Sequence, residues 1–227
     1  MITVHHLDNS RSQRVLWLLE ELGLPYEIRA YKRDAKTMLA PPELKAVHPL
    51  GKSPVVTVEG PQGTAKLAES GAIIEYFVEQ QGGALRPATG TQQRLDYTYF
   101  LHYAEGSAMP LFVMKLVFMT IPKAPMPFFV KPIAKALMQK VQSTFLDPQI
   151  RNHLDFLEAH LGRNEWFAGP GFSAADIQMS FAVQAGLARG GMASRYPKLK
   201  AFVDRIEARP AYQKALARGG PFSLLGG

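Results

Sequence analysis

The sequence predicts a small α/β domain over residues 1–81 and an all-helical domain over residues 91–227, joined by a linker at 82–90. Short strand-like runs alternate with helical patterns in the first domain. Beyond the linker the strand signals vanish. Gly82, Gly83 and Pro87 interrupt any regular pattern in the linker, which is typical of a domain boundary.

The first domain opens with a predicted βαβ unit. A β-branched run at residues 2–6 predicts the first strand, and residues 26–31 predict the second. Between them, apolar side chains recur at the i, i+3, i+4, i+7 spacing of an amphipathic helix: Val15, Leu18, Leu19 and Leu22. Gly23 ends this helix, and the two flanking strands should run parallel with a right-handed crossover.

After a short helical stretch, the first domain continues with a hairpin and a helix. Residues 54–58 and 65–67 predict the hairpin strands, with a turn at 60–63. Ser70 opens a helix that carries Ile73, Ile74 and Phe77. The predicted order of the first domain is therefore βαβ, a short helix, then ββα.

Helical periodicity dominates the second domain. Two sets of apolar residues each share one helical face: Ile150, Leu154, Leu157 and Leu161, and Leu199, Phe202, Val203 and Ile206. Ser173 and Asp176 fit the Ser-x-x-Asp capping box that begins a helix, and we assign both a structural role.

Composition restricts the class of protein. The chain has 227 residues, of which 47% are apolar and 20% charged, as in ordinary globular proteins. It has no cysteine, which excludes a disulfide framework, a thiolate metal site and a redox thiol of its own. No apolar run approaches the roughly 20 residues that span a bilayer, and the N-terminus lacks the pattern of a secretory signal. We therefore expect a cytoplasmic protein.

The charge is basic but not concentrated in one block. There are 26 basic and 19 acidic residues, a formal charge of +7. No helix-turn-helix, RNA-binding or zinc-finger signature accompanies them, so we expect no nucleic-acid partner and favour a pocket for an anionic ligand. The six histidines lack the spacing of metal ligands, so we expect no metal.

The most specific motif is His-Pro-Leu-Gly-Lys-Ser-Pro-Val-Val at residues 48–56, followed by Glu69 and Ser70 at a helix start. A cis bond between Ser53 and Pro54 would leave the amide and carbonyl of Ser53 free to pair with an extended peptide. The helix start at Glu69 and Ser70 offers backbone donors and a hydroxyl to a carboxylate. A strand-entry proline and a serine N-cap are the plainer interpretations, but the combination favours a peptide site.

With these motifs and this order of elements, the chain resembles the cytosolic glutathione S-transferases, most closely the fungal and bacterial branch with a Gly-Lys-Ser-Pro or Gly-Arg-Ser-Pro segment. The resemblance covers essentially the whole chain. It implies a thioredoxin-like first domain with structural Pro54, an all-α second domain, a homodimer, and glutathione as co-substrate. By resemblance, the Ser53 backbone pairs with the cysteinyl part, Glu69 and Ser70 hold the γ-glutamyl part, and Lys52 reaches the glycine carboxylate. The family usually has valine at the Ser53 position, where only the backbone contributes.

The resemblance also suggests which residue activates the thiol. In the serine-type classes a serine follows the first strand, four residues before an arginine, and Ser10 and Arg14 have that spacing. A hydrogen bond to a charged group is worth about 1.5–3 kcal/mol, enough to lower a thiol pKa by one or two units. The amide of Asn9 is an alternative donor, and a water is another. Ser10 or Ser12 acting only as a helix cap is the structural alternative.

The resemblance thus implies a detoxifying transferase that conjugates glutathione to a hydrophobic electrophile. A glutathione-dependent peroxidase or disulfide reductase on the same fold is an alternative, as is a non-catalytic glutathione-binding regulatory protein. Because the chain lacks cysteine, catalysis through a mixed disulfide on the enzyme is excluded.

Residues 109–138 form the least typical segment, with five prolines and four lysines among several Phe and Met. One interpretation is a flexible apolar wall for the electrophile. Another is a basic, apolar surface that touches a membrane. We favour a helix–loop–helix that packs on its own domain, and therefore do not expect membrane contact.

Overall fold

The computed structural model describes residues 1–34, 37, 39–188 and 192–220. Residues 221–227 of the predicted second domain lie outside the described residues. A part with one four-stranded sheet and helices precedes a helical part, which confirms the predicted fold class. The exact domain boundary stays a prediction.

The sheet begins with the predicted βαβ unit. Its strands are β1 (Ile2–Leu7), β2 (Glu27–Tyr31), β3 (Val55–Gly60) and β4 (Gly63–Ala68). The strand order is β2-β1-β3-β4. β1 runs parallel to β2, with Val4 opposite Ile28, and antiparallel to β3, with Val4 opposite Val56. The parallel pair confirms the βαβ unit, and the pairing of Gly60 with Gly63 confirms the hairpin.

One helix lies at the centre of the molecule. The helices of the first part are α1 (Ser12–Glu21), α2 (Pro42–Val47) and α3 (Ser70–Gln80). Every side chain of α1 from Ser12 to Leu19 is buried, because α1 packs on β1, on α3 and on two helices of the second part. Gly23 adopts a φ of 64° just after α1, as the predicted stop requires.

The second part is built from helices around one core. Its helices are α4 (Gln92–Tyr103), α5 (Met109–Thr120), α6 (Val130–Val141), α7 (Asp147–Leu161), α8 (Ala174–Leu187), α9 (Met192–Arg195), α10 (Pro197–Glu207) and α11 (Pro210–Gly219). The apolar faces predicted for α7 and α10 are buried. In the described portion of this part, the one β pairing is an isolated bridge between Trp166 and Gly169.

The predicted capping box begins α8. Ser173 is the N-cap, and its backbone N–H and hydroxyl donate to Oδ2 of Asp176 at 2.8 and 2.9 Å. Oδ1 of Asp176 accepts the N–H of Phe167 at 2.8 Å. Burial raises the pKa of the Asp176 carboxyl to about 6, and the hydrogen bonds from Phe167 and Ser173 oppose that rise. One buried carboxylate thus ties the preceding loop to the first turn of α8.

Two long helices of the second part are each interrupted by a π-helical turn. Ala104–Ala108 joins α4 to α5, and Gln142–Leu146 joins α6 to α7. Among the described residues, the helix Gln92–Lys123 is long and apolar enough to cross a membrane by length and composition, and only 22% of its most apolar stretch is buried. The expectation that no apolar run approaches this length is therefore wrong.

Residues 109–138 adopt the predicted helix–loop–helix but do not pack as predicted. None of the α6 side chains is buried. Several large apolar side chains of the segment are exposed: Val113, Met114, Leu116, Val117, Met119, Phe128, Phe129, Ile133 and Leu137. The segment therefore leaves much of its apolar surface uncovered by its own domain, and that part of the prediction is wrong.

Candidate active site

Two loops at one edge of the sheet bring Ser10 and Ser53 together. Ser10 follows β1 and is buried, and its Oγ donates to Oγ of Ser53 at 3.3 Å. Oγ of Ser53 donates in turn to the carbonyl oxygen of His5 at 3.2 Å. The hydroxyl proton of Ser53 is therefore already used within the protein.

Ser10 also belongs to a buried polar chain that extends to the end of α11. Its Oγ lies 2.7 Å from Oγ of Ser12, which lies 2.8 Å from Nδ1 of His6. Nε2 of His6 lies 2.9 Å from the carbonyl oxygen of Gly219. The backbone N–H of Ser12 donates to Oγ of Ser10 at 3.2 Å. Four residues thus share one hydrogen-bonded path.

The Gly219 end sets the direction of donation along this path. A carbonyl oxygen only accepts, so Nε2 of His6 carries the proton. Burial lowers the pKa of His6 below its usual 6.5, against the opposing effects of Gly219 and Asp8, so the ring is neutral at pH 7. Nδ1 then accepts from the Ser12 hydroxyl at 2.8 Å, a shorter contact than the 3.3 Å from that hydroxyl to the carbonyl oxygen of Leu7. The Ser10 hydroxyl is left as the donor to Ser12 at 2.7 Å, and because it has one proton, its 3.3 Å contact with Ser53 is the weaker branch of that bond.

The alternatives to Ser10 as thiol donor lie in the same loop. Asn9 is exposed and has a φ of 46°, a region that asparagine tolerates better than most residues. Arg11 occupies the N-cap position of α1, and its own side chain makes no capping hydrogen bond. Neither Ser10 nor Ser12 is therefore the N-cap of α1. The choice between Ser10, Asn9 and a water as the donor to the thiol stays a prediction.

The Ser53–Pro54 peptide bond is cis. Within the described residues, neither the N–H nor the C=O of Ser53 has a backbone partner, and β3 begins only at Val55. Lys52, immediately before it, is exposed. An extended peptide can pair with the Ser53 backbone as an added strand, with a cation beside it.

Glu69 and Ser70 lie where β4 meets α3. Glu69 is the N-cap of α3, with φ 70° and ψ 122°, a sparsely populated region for a residue other than glycine. Strained residues of this kind concentrate at functional sites. Ser70 is the first residue of α3 and is buried; its Oγ accepts from Nε2 of Gln178 at 3.1 Å. The interpretation of Ser70 as an N-cap is therefore wrong, because Glu69 holds that position.

Arg14 is a buried cation where the two parts of the chain meet. Its Nη1 donates to Oε1 of Glu105 at 2.5 Å, to Oε1 of Gln178 at 3.3 Å and to Oγ of Ser70 at 3.4 Å. Burial lowers the pKa of Arg14 to about 10, and Glu105 opposes that shift. The guanidinium therefore stays charged at neutral pH.

The position of Glu105 depends on the π-helical turn at Ala104–Ala108. Such turns in a longer helix are frequent at functional sites. Here the turn places Glu105 against both Arg14 and Arg11, whose Nε lies 3.0 Å from Oε2 of Glu105. The same carboxylate therefore contacts the first turn of α1 through two cations.

The structure thus gathers the predicted residues in two groups, Ser10 with Ser53 and Glu69 with Ser70. Sequence analysis missed the supporting residues His6, Glu105 and Gln178, and assigned Ser12 only a capping role. The available signal was Glu105 itself, one of only two acidic residues in the helix Gln92–Lys123. Within the part of the chain that the structure describes, no three His, Asp or Glu side chains cluster as metal ligands would.

Comparison with known proteins gives consistent matches over the whole chain. The family "Glutathione S-transferase, N-terminal domain" matches residues 10–80, and "Glutathione S-transferase, C-terminal domain" matches residues 110–210. The chain is 36% identical to Glutathione S-transferase 3 of Schizosaccharomyces pombe, over 93% of this chain and 85% of that one. It is 35% identical to Glutathione S-transferase 1 of Saccharomyces cerevisiae, over 98% of each.

A solved structure agrees in fold. The glutathione S-transferase from Actinobacillus pleuropneumoniae matches with a TM-score of 0.75 and 32% identity, over 99% of this chain and 95% of that chain. The two family matches, the relatives and the shared architecture lead to one conclusion: this chain belongs to the glutathione S-transferase family.

Proposed function

We propose that the protein is a serine-type glutathione transferase that joins the glutathione thiolate to hydrophobic electrophiles, with Ser10 stabilising the thiolate. One observation carries the proposal. The Ser10 hydroxyl is buried at the start of α1, 3.3 Å from the hydroxyl of Ser53. The family binds the cysteinyl part of glutathione at the backbone of this residue before the cis-proline, so a bound sulfur would lie beside Ser10.

The energetics of thiol activation suit a hydroxyl in this position. A thiol of pKa about 8.5 is only a few per cent ionised at pH 7. Donating to a thiolate in place of the neutral Oγ of Ser12 gives Ser10 a stronger, charge-assisted bond. The N–H of Ser12, 3.2 Å from Oγ of Ser10, polarises the hydroxyl in the same direction. The N-terminus of α1 adds a favourable field for an anion.

Ser10 acts in this reaction as a donor and keeps its own proton. The thiol proton leaves to solvent, and the sulfur lone pair forms a bond to the electrophilic carbon. Either the leaving group departs with the displaced electron pair, or an added proton neutralises the anion formed by addition. No step requires a cysteine of the protein, which has none.

Recognition of glutathione would divide among the predicted residues. The backbone N–H and C=O of Ser53, which have no backbone partner among the described residues, suit the cysteinyl part, and the exposed cation of Lys52 suits the glycine carboxylate. The start of α3 at Glu69 and Ser70 suits the γ-glutamyl end, since backbone N–H groups there favour a carboxylate. The buried charge of Arg14, 3.4 Å from Oγ of Ser70, adds to that preference.

The family resemblance also supports proposals about the domain boundary, the oligomeric state and the location of the protein. We place the domain boundary at 82–90, between α3 and α4, with glutathione held by the first domain and the electrophile against the second. We also propose a homodimer and a cytoplasmic location, and both proposals rest on the family resemblance alone.

The test of the proposal is a pair of substitutions that separates activation from binding. Ser10→Ala should lower kcat about 100-fold and leave the Kd for glutathione nearly unchanged, because the lost bond matters only for the thiolate. Ser70→Ala should mainly raise that Kd. Turnover with an aryl halide and calorimetric binding of glutathione give both numbers.

A spectroscopic titration of bound glutathione completes the experiment. Thiolate absorbance should appear well below pH 8 in the native protein and only at higher pH in Ser10→Ala. Asn9→Ala serves as the control in the same loop. If Asn9→Ala shifts the titration and Ser10→Ala does not, the donor is Asn9. If the native protein binds glutathione without lowering the thiol pKa, it is a binding protein and not a transferase.

A further inference from the structure

One surface of the molecule plays no part in the proposed chemistry. We define the hairpin tip as residues 109–141, which comprise α5, the connection after it, and α6. The π-helical turns Ala104–Ala108 and Gln142–Leu146 mark its base on each side. Below them α4 and α7 bury residues such as Tyr97, Phe100 and Leu154 in the core. Above them, only Met109 and Phe112 at the start of α5 are buried, and no side chain of α6 is.

The exposed side chains of the hairpin tip are apolar to an unusual degree. Phe128 is 85% exposed, Ile133 is 67% exposed and Phe129 is 63% exposed. Ile133 and Leu137 stand one turn apart on the outer side of α6, and Leu116 and Val117 are exposed on α5. Large contiguous apolar patches on a soluble protein mark sites that contact another apolar phase.

The charges of the hairpin tip have one sign. It contains five lysines and no Asp, Glu or Arg, so it carries +5 of the chain's formal +7. Lys115 pairs with Asp147 of α7. The other four, Lys123, Lys131, Lys135 and Lys140, are exposed, and within the described residues none of them is in an ion pair. Basic groups around exposed apolar side chains form the pattern of a surface that lies on anionic lipid.

The same features argue against a transmembrane span. The helix Gln92–Lys123 passes a test of length and composition, but Tyr97, Phe100 and Tyr103 in its first half are buried in the core. Glu105 is held by Arg14. Only the 12 residues of α5 remain, about 18 Å of helix, against the roughly 30 Å of a hydrocarbon core. The geometry allows contact with an interface but not a crossing.

A second copy of the chain is a poor occupant for this surface. A two-fold interface centred on the hairpin tip would bring the tips of both subunits together. Two tips would then bring together eight lysines that have no ion pair within the described residues, since Lys115 of each is already paired with Asp147. Like charges held close oppose association, whereas an anionic bilayer neutralises them and accepts the phenylalanines.

We propose that the hairpin tip docks the protein on the surface of anionic lipid bilayers. Phe128, Phe129, Ile133 and Leu137 enter the boundary between headgroups and acyl chains, and the exposed lysines contact lipid phosphates and carboxylates. The proposal does not depend on glutathione chemistry, since it uses none of the residues assigned to the active site. Docking would place the transferase beside membrane-dissolved electrophiles.

The experiment is flotation of the full chain with lipid vesicles. The protein should float with phosphatidylcholine vesicles containing about 30% phosphatidylserine and much less with phosphatidylcholine alone, and about 0.5 M salt should release it. Phe128→Ser with Phe129→Ser should reduce binding to background. Lys131→Gln with Lys135→Gln should weaken it about 30-fold, the effect of two lysines near such a surface.

Matched controls keep the result specific. Lys66→Gln with Lys198→Gln removes two exposed lysines outside the hairpin tip and should leave vesicle binding unchanged. Leu95→Gln removes an exposed leucine from the other half of the same long helix and should also leave it unchanged. Turnover with a water-soluble electrophile should be the same in all variants, which shows that each one folds.

Three results would overturn the proposal. The native protein does not float with the anionic vesicles at low salt, or the hairpin-tip variants bind as well as the native protein. In the third, light scattering shows that Phe128→Ser with Phe129→Ser breaks a larger assembly into a smaller one, in which case a second copy covers the hairpin tip.

Discussion

Three serine hydroxyls meet at the start of α1, and each has a different hydrogen-bond partner. The Ser12 hydroxyl donates to neutral His6, and the Ser53 hydroxyl donates to the carbonyl of His5. The Ser10 hydroxyl donates only to other hydroxyl oxygens. It can therefore turn towards a thiolate without leaving a ring nitrogen or a carbonyl unsatisfied, which distinguishes Ser10 from its neighbours.

This difference predicts the effect of Ser12→Ala. The substitution leaves Nδ1 of buried His6 without a donor, which should cost about 1–3 kcal/mol of stability. The backbone N–H of residue 12 still donates to Ser10, so kcat should fall about tenfold or less. Thermal unfolding and turnover measure the two effects. A loss of kcat as large as that of Ser10→Ala would instead make Ser12 the thiol donor.

At the scale of elements, the start of α8 depends on a single carboxylate. Asp176 accepts from two backbone N–H groups and one hydroxyl at 2.8–2.9 Å, all of them buried. α8 packs against α1, α3, α4 and α10. A change in the first turn of α8 would therefore disturb its packing against helices of both parts.

Asp176→Asn tests this dependence. In the variant an amide nitrogen would replace the oxygen that accepts from the N–H and hydroxyl of Ser173. Because the amide nitrogen can only donate, these buried groups of Ser173 would lose their acceptor. We expect a loss of about 2–4 kcal/mol and a Tm lower by about 5–12 °C. Asp204→Asn, which removes an exposed partner of Lys200 on α10, should change Tm by less than about 2 °C. Equal effects would mean that the capping box is no more important than a surface pair.

At the scale of the whole molecule, Arg14 connects the two parts. It belongs to α1, touches Ser70 at the start of α3, and pairs with Glu105 and Gln178 of the helical part. Its side chain is 2% exposed, so its charge depends on Glu105 for compensation. The packing of the two parts and the shape of the proposed γ-glutamyl site therefore both depend on the ion pair between Arg14 and Glu105.

Glu105→Gln should accordingly destabilise the protein by about 3 kcal/mol, because a buried charge loses its partner. Arg11→Gln removes the other, partly exposed cation from the same carboxylate and should cost less than about 1 kcal/mol. Denaturant unfolding of both variants provides the comparison. Similar losses of unfolding free energy in the two variants would show that the buried charge of Arg14 does not depend on Glu105.

Four histidines predict how stability responds to acid. Burial lowers the folded-state pKa of His5, His6, His153 and His160 below 6.5. At a pH between 6.5 and these lowered pKa values, the unfolded chain binds more protons than the folded chain. The four histidines therefore make their full contribution to the free energy of unfolding above pH 6.5, and this contribution declines as the pH falls below 6.5. Burial raises the pKa of Asp176 to about 6, so this carboxyl favours the folded state as the pH falls, but only below about pH 6. The Tm should therefore fall between pH 7.5 and 6, and a Tm that rises over this interval would contradict the prediction.

Local patterns in the sequence predicted most of the architecture. The strands, the βαβ order, the faces of α7 and α10 and the capping box depend on residues within a few positions of each other. His6 and Gly219 are 213 positions apart, and Arg14 and Glu105 are 91 apart. No periodic pattern joins such residues. The sequence did not predict the exposure of the hairpin tip, and the reason is different. Periodicity shows which face of α6 is apolar, but it does not show whether another element covers that face.

The bond from His6 to Gly219 has a consequence for the order in which the enzyme is made. Ser10, Ser53 and Ser70 leave the ribosome early, and the surface for glutathione can form once the sheet has closed. The carbonyl that holds the His6 proton on Nε2 belongs to Gly219, 213 positions after His6. A growing polypeptide therefore completes the surface proposed for the tripeptide before it can fix the direction of donation along the path to Ser10.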